Sequence, residues 1–115
     1  MDALGRHLLL ELKDCDAKLL DDLDSLKKLL IQAATESGAT VLDDSFHQFS
    51  PQGVSGVVVI AESHLFIHTW PEHGYAAVDV FTCGTRVQPE VAARVIIKAL
   101  RPKNHAIIEM RRGIL

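Results

Sequence analysis

Glu62, Ser63, His64 and His68 crowd one short stretch of this 115-residue chain, and Cys83 closes the next apolar run. A hydroxyl, an imidazole and a thiol are the materials of a nucleophile, a base and a proton donor, provided the fold brings them together. The flanking runs make the cluster conspicuous. Val54-Ser55-Gly56-Val57-Val58-Val59-Ile60 is β-branched and uncharged, and Tyr75-Ala76-Ala77-Val78-Asp79-Val80-Phe81-Thr82-Cys83 is a second strand-like run bounded by Gly74 and Gly84. Polar groups at a strand junction in the most buried-looking part of a sequence cost desolvation energy unless they pair or react.

Residue types and spacing leave several readings open. Ser63 lacks the flanking glycines of a nucleophile elbow, and no Asp or Glu stands at a familiar spacing to orient a histidine. The plain reading is a polar strand-to-strand turn in which Ser63 bonds to nearby backbone. His64 and His68 are four apart and would chelate a metal from a helix, but on a strand they lie about 13 Å apart. Zinc would need Cys83 and His73 brought in from elsewhere, so no metal is expected. On the strand reading His64, Phe66, His68 and Trp70 share one face, with Leu65, Ile67 and Thr69 on the other. Cys83 beside Gly84 is either a small buried apolar residue or an accessible thiol. Ser55, inside a valine run, either bonds its neighbours in the core or serves a site. Glu72 reads as a solvated turn acid and Phe49 as core.

The elements that must position these groups follow from periodicity. Arg6–Leu12 alternates as a strand with one apolar face. Leu19, Leu23, Leu26, Leu30 and Ala33 recur at spacings of three and four, and Gly38 stops the run, so a single amphipathic helix is expected over residues 16–37, capped by Asp14 or Asp16. Val41–Phe49 is a more polar strand, followed by strands Val54–Ile60, Leu65–Trp70 and Tyr75–Cys83. Pro89 and Glu90 open a second helix with Val91, Val95, Ile96 and Ala99 as its apolar stripe. Ala106–Met110 is a last short strand. Consecutive strands without helical crossovers predict a mostly antiparallel sheet, hence an α+β two-layer sandwich with two helices on one face. The uncovered face would then meet water or another subunit, and the apolar density of residues 54–60 favours a subunit.

Composition sets the outer bounds. One domain is expected over residues 1–115, with 48% hydrophobic and 23% charged residues. A formal charge of −3 makes no case for nucleic acid or an anionic membrane as partner. No stretch approaches the roughly 20 apolar residues of a membrane span, and residues 1–12 lack a signal-peptide layout. Cys15 and Cys83 are far apart and imply no disulfide framework, so a reducing cytoplasm is the expected compartment.

Taken together, Gly53 to Leu65, then Ile67-His68-Thr69-Trp70-Pro71-Glu72, then Asp79 to Gly84 closely resemble the prokaryotic S-adenosylmethionine decarboxylases, small pyruvoyl-dependent enzymes of polyamine synthesis. The likeness extends to Gly5-Arg6-His7 and Arg112-Gly113, and so covers essentially the whole chain. The resemblance implies that Ser63 attacks the Glu62 carbonyl, forming an ester by an N-to-O acyl shift. Ser55 matches the family's helper at that step, and His68 the base that then removes the Cα proton of residue 63. Elimination would leave a β chain of residues 1–62 and an α chain of residues 63–115 that begins with a pyruvoyl group made from Ser63. No pyridoxal phosphate and no metal are implied.

The resemblance further implies that the pyruvoyl carbonyl forms a Schiff base with the small-molecule substrate and that Cys83 reprotonates the product. Phe49 and Trp70 would stack on adenine, and Glu72 would meet the ribose hydroxyls or the sulfonium charge. A homodimer of processed αβ protomers is implied, with sites at its interface. Phe66 departs from the family's pattern: a small polar residue is expected there, and a ring on the face carrying His68 narrows the pocket. Two other readings stay open. One is the same chemistry on arginine or ornithine, which needs acids at the far end of the pocket. The other is a non-catalytic α+β dimer that binds a small ligand.

Overall fold

Period-two alternation in the strands separates a helix-covered face from an open one. The computed structural model describes residues 3–114; the predicted chain ends at Met1 and Leu115 lie outside them. Strands β1 (Ala3–Lys13), β2 (Val41–Gln48), β3 (Val54–Ile60), β4 (Ser63–Trp70), β5 (Tyr75–Cys83) and β6 (Asn104–Ile114) form one sheet, ordered β2-β3-β4-β5-β1-β6. Every neighbouring pair is antiparallel. Helices α1 (Ala17–Leu20), α2 (Leu23–Glu36) and α3 (Pro89–Leu100) accompany it. The expected α+β two-layer sandwich is what the chain forms.

The core lies between sheet and helices. Leu8, Leu10 and Leu12 of β1, Val54, Val58 and Ile60 of β3, Leu65 and Ile67 of β4, and Ala76, Val78 and Val80 of β5 are buried there against Leu26, Leu30, Ala33, Ala92, Ile96 and Leu100. Each fully buried Leu or Ile contributes roughly 1.5–3 kcal/mol. The other face of the strands carries Ser55, Val57, Val59, His64, Phe66, His68, Trp70, Asp79 and Phe81, all intermediate or exposed. Val59, Trp70, Ile108 and Met110 keep 38–57% of their surface in water, so this face is apolar and uncovered in the single chain.

Three local expectations are corrected. The single helix over residues 16–37 is broken at Asp21. Asp16 caps α1 by accepting from Lys18 N at 2.8 Å, and Asp22 starts a new helix by accepting from Ser25 N at 3.1 Å. The four-residue step from Leu19 to Leu23 hides that break, because both leucines pack half-buried against the core. In α3 the buried stripe is Ala92, Ala93, Ile96 and Leu100, while Ala99 is exposed and Val91 and Val95 are half-buried. The last strand is not short: β6 spans eleven residues, all exposed, because it forms a sheet edge paired only with β1.

Candidate functional site

The turn between β3 and β4 places the reactive cluster. Ile60 pairs with Ser63, so Ala61 and Glu62 alone connect the two strands. Glu62 sits at φ 75°, in the left-handed region that a residue with a Cβ enters at a cost on the order of 1–2 kcal/mol. That strain falls on the residue that precedes Ser63. The Ser63 hydroxyl donates to the carbonyl oxygen of Glu62, the peptide that joins the two residues.

Antiparallel pairing of β4 with β5 carries the end of β5 to the same corner. Cys83 Sγ is 3.1 Å from Ser63 Oγ and donates to the Glu62 carbonyl oxygen at 3.2 Å. Cys83 is half-buried and unpaired with Cys15, so it is the accessible strand-end thiol rather than a core residue. Behind the turn, a cavity of about 150 Å³ is lined by Glu62, Cys83 and Arg86. The corner thus gathers a hydroxyl, a thiol and the carbonyl of a residue in a strained backbone conformation. Those are the components of attack on that carbonyl and of a later proton donation.

Ser55, His68, Phe49, Trp70 and Glu72 gather at the opposite end of β4. The β3–β4 register sets Ser55 opposite His68, and Ser55 Oγ is 2.8 Å from His68 Nδ1. These five residues line one cavity of about 300 Å³. Phe49 is 46% exposed and therefore not core. Glu72 lies in the short 3-10 turn Pro71–His73, exposed and among the residues lining the cavity.

Gln52, Gly53 and Thr69 also line this cavity, where the sequence reading assigned them no role. Gly53, at φ 106°, was the available signal. Asp21 was missed too. Its Oδ1 accepts from Gly53 N and from Gln48 Nε2, both at 2.8 Å, and so ties the loop carrying Phe49 to the break between α1 and α2. Thr69 Oγ1, buried, accepts from Val54 N at 2.9 Å and donates to Leu20 O at 2.7 Å.

The two groups do not meet within one chain. His68 is five residues along β4 from Ser63, about 17 Å at the rise of an extended strand. Between them His64 is held below the ordinary histidine range, first by burial and then by its neighbour His7. His7 Nε2 is buried without a hydrogen bond, 3.6 Å from Asp79 Oδ2. Among the described residues no three His, Cys, Asp or Glu side chains could hold a metal ion, and no helix is long and apolar enough to cross a membrane.

Comparisons with known proteins agree with the motifs. A family model described as S-adenosylmethionine decarboxylase matches residues 6–113. A relative from Thermodesulfovibrio yellowstonii, named S-adenosylmethionine decarboxylase proenzyme, is 58% identical over 115 residues, covering 100% of this chain and 85% of the relative. One of the same name from Caldanaerobacter subterraneus subsp. tengcongensis is 54% identical over 114 residues, covering 99% and 92%. Among solved structures, the adenosylmethionine decarboxylase from Aquifex aeolicus superposes with a TM-score of 0.94 at 40% identity, covering 100% of this chain and 95% of that one.

Proposed function

The chain belongs to the S-adenosylmethionine decarboxylase family, and we propose that it is a proenzyme that cleaves itself between Glu62 and Ser63 and then decarboxylates S-adenosylmethionine, yielding the aminopropyl donor for spermidine synthesis. The observation that carries this reading is the Ser63 hydroxyl held against the carbonyl of a strained Glu62, with the Cys83 thiol beside both. Serine is a weak nucleophile, so a strained junction and an enforced approach both favour its attack.

In the first step Ser63 Oγ bonds to the Glu62 carbonyl carbon and its proton passes to a base. The C–N bond then breaks, leaving an ester and a free amine on residue 63. Next a base takes the Cα proton of residue 63. Its electron pair forms the Cα=Cβ bond, and the Cβ–Oγ bond breaks with Glu62 leaving as a carboxylate. Water converts the resulting dehydroalanine to a pyruvoyl group with loss of ammonia. That group supplies an electron sink for the carboxylate carbon's departure from the substrate. Cys83 is then placed to return a proton to the product.

His68 and Ser55 suit the helping roles through their one hydrogen bond. In the tautomer with a proton on Nδ1, His68 donates to Ser55 Oγ. This leaves Nε2 bare as a base and the Ser55 hydroxyl free to donate to an oxyanion. Their separation from Ser63 means that they act on a second copy. A two-fold axis lying between facing sheets and across the strands inverts strand direction, so the His68 end of one protomer covers the Ser63 end of its partner. The apolar open face is the surface such a homodimer of processed αβ protomers buries.

Phe49 and Trp70 offer aromatic faces for adenine, and Glu72 is the single carboxylate among the residues lining their cavity. Two aromatic faces suit an adenine ring, for which arginine and ornithine have no counterpart. Intact mass under denaturing, reducing conditions tests the reading. Two chains, one ending at Glu62 and one starting with a pyruvoyl-blocked residue 63, are expected; a single chain of full mass refutes it.

A further inference from the structure

The imidazole of His68 has two kinds of neighbour on the open face. Its Nδ1 meets Ser55 Oγ at 2.8 Å across the β3–β4 pair. The ring of Phe66, two residues back on the same strand, stacks on it with centroids 4.5 Å apart and planes 23° apart. Trp70, two residues on, is farther off, at 6.2 Å and tilted 41°. His68 is otherwise exposed. A single hydrogen bond to a freely rotating hydroxyl leaves the torsions of an exposed imidazole loosely held. A flat ring stacked on it restricts them, because the parallel contact is lost as soon as the imidazole turns.

We propose that Phe66 is the positioning residue for His68: its stacked ring holds the imidazole in the orientation that keeps Nδ1 on Ser55 and presents Nε2 as the base. The inference rests on the self-cleavage reading above and on the role of His68 within it. Phe66 itself touches no reacting atom. It lies opposite Val57 on β3 and Asp79 on β5, on the face away from the helices, so substitutions there leave the buried core intact.

Two substitutions separate positioning from simple packing. Phe66→Leu keeps apolar bulk and removes the flat ring, whereas Phe66→Tyr keeps the ring. Time courses of intact mass on freshly translated precursor, with hydroxylamine added to cleave any trapped ester, follow the elimination step. Nitrogen-15 spectra of the His68 ring, recorded in an uncleavable Ser63→Ala background, report its tautomer.

Loss of one aromatic contact should lengthen the ester's lifetime on the order of 3–10-fold in Phe66→Leu. The same variant should lose the single-tautomer signature of His68, and Phe66→Tyr should restore both. His68→Ala run alongside keeps the levels apart. If it eliminates at the wild-type rate, the role of His68 falls and this inference with it. If His68→Ala stalls while Phe66→Leu matches wild type in ester lifetime and ring spectrum, the positioning role alone is overturned. Equal slowing by Leu and Tyr with an unchanged His68 spectrum overturns it as well, leaving Phe66 as interface packing.

Discussion

At the scale of single residues, the Glu62–Ser63 junction combines a backbone held in the left-handed region with a hydroxyl hydrogen-bonded to the carbonyl it is proposed to attack. Ser63→Ala should fold, remain one chain by intact mass and show no decarboxylation; any residual turnover in that variant contradicts a cofactor made from Ser63. Cys83 lies within hydrogen-bonding reach of both partners, where the product's α-carbon would need a proton. Loss of a general acid commonly lowers rate 10²–10⁴-fold. Processed Cys83→Ala should therefore show kcat reduced by about 10²-fold or more in a carbon dioxide release assay, and an unchanged kcat removes the donor role.

At the scale of elements, the β3–β4 hairpin is both scaffold and spring. Two residues span the turn, and the one at φ 75° carries a Cβ. Glycine adopts that conformation freely, so Glu62→Gly should stabilise the precursor by about 1 kcal/mol in chemical denaturation and slow its cleavage. Faster cleavage would show that the strain plays no part. The break between α1 and α2 does comparable work for the second cavity, since Asp21 anchors Gly53 and Gln48 on either side of the Phe49 loop. Asp21→Ala frees that loop. Its effect should fall on KM, raised several-fold, far more than on kcat.

At the scale of the whole molecule, the proposed site draws on two chains, because Ser63 and His68 stand five residues apart along β4. Mixing Ser63→Ala with His68→Ala tests this directly. In a heterodimer the intact Ser63 faces the intact His68 of the other chain, so co-refolding should restore cleavage to the His68→Ala chains, by up to about half. No restoration in verified heterodimers would mean that each chain acts on itself.

Stability against acid belongs to this scale too. His64 has a lowered folded pKa, so its contribution is complete above the unfolded value of 6.5 and is lost as pH falls below it. Glu90 and Glu109 are held low by hydrogen bonds from Arg6, and their contribution is present above 4.5 and lost below it. Thermal melts should show Tm declining in two acid limbs, with His64→Asn removing the upper one.

The sequence by itself determined the order of the strands, the α+β class and the polar groups at the Glu62–Ser63 junction, because period-two patterning and reactive side chains are local properties. Phe49, Ser55, Trp70 and Glu72 were given site roles only by the family resemblance. Val54–Ile60, Tyr75–Cys83 and the Glu-Ser-His junction were legible without any partner in space. The helix break at Asp21 was not, since it is stabilised by Gly53 and Gln48, more than twenty-five residues downstream. Nor was the full length of β6, which gains its order from pairing with β1 at the other end of the chain. Only the tertiary structure decided which site residues stand together. It set Cys83 beside Ser63 through the β4–β5 pairing and kept Ser55 and His68 a strand's length away. It also laid the Phe66 ring on His68. Cys83 beside Ser63 and Ser55 beside His68 are matters of register between strands, fixed by the collective burial of one face. The Phe66–His68 stack lies within β4 and needed the side-chain rotamers of the folded strand.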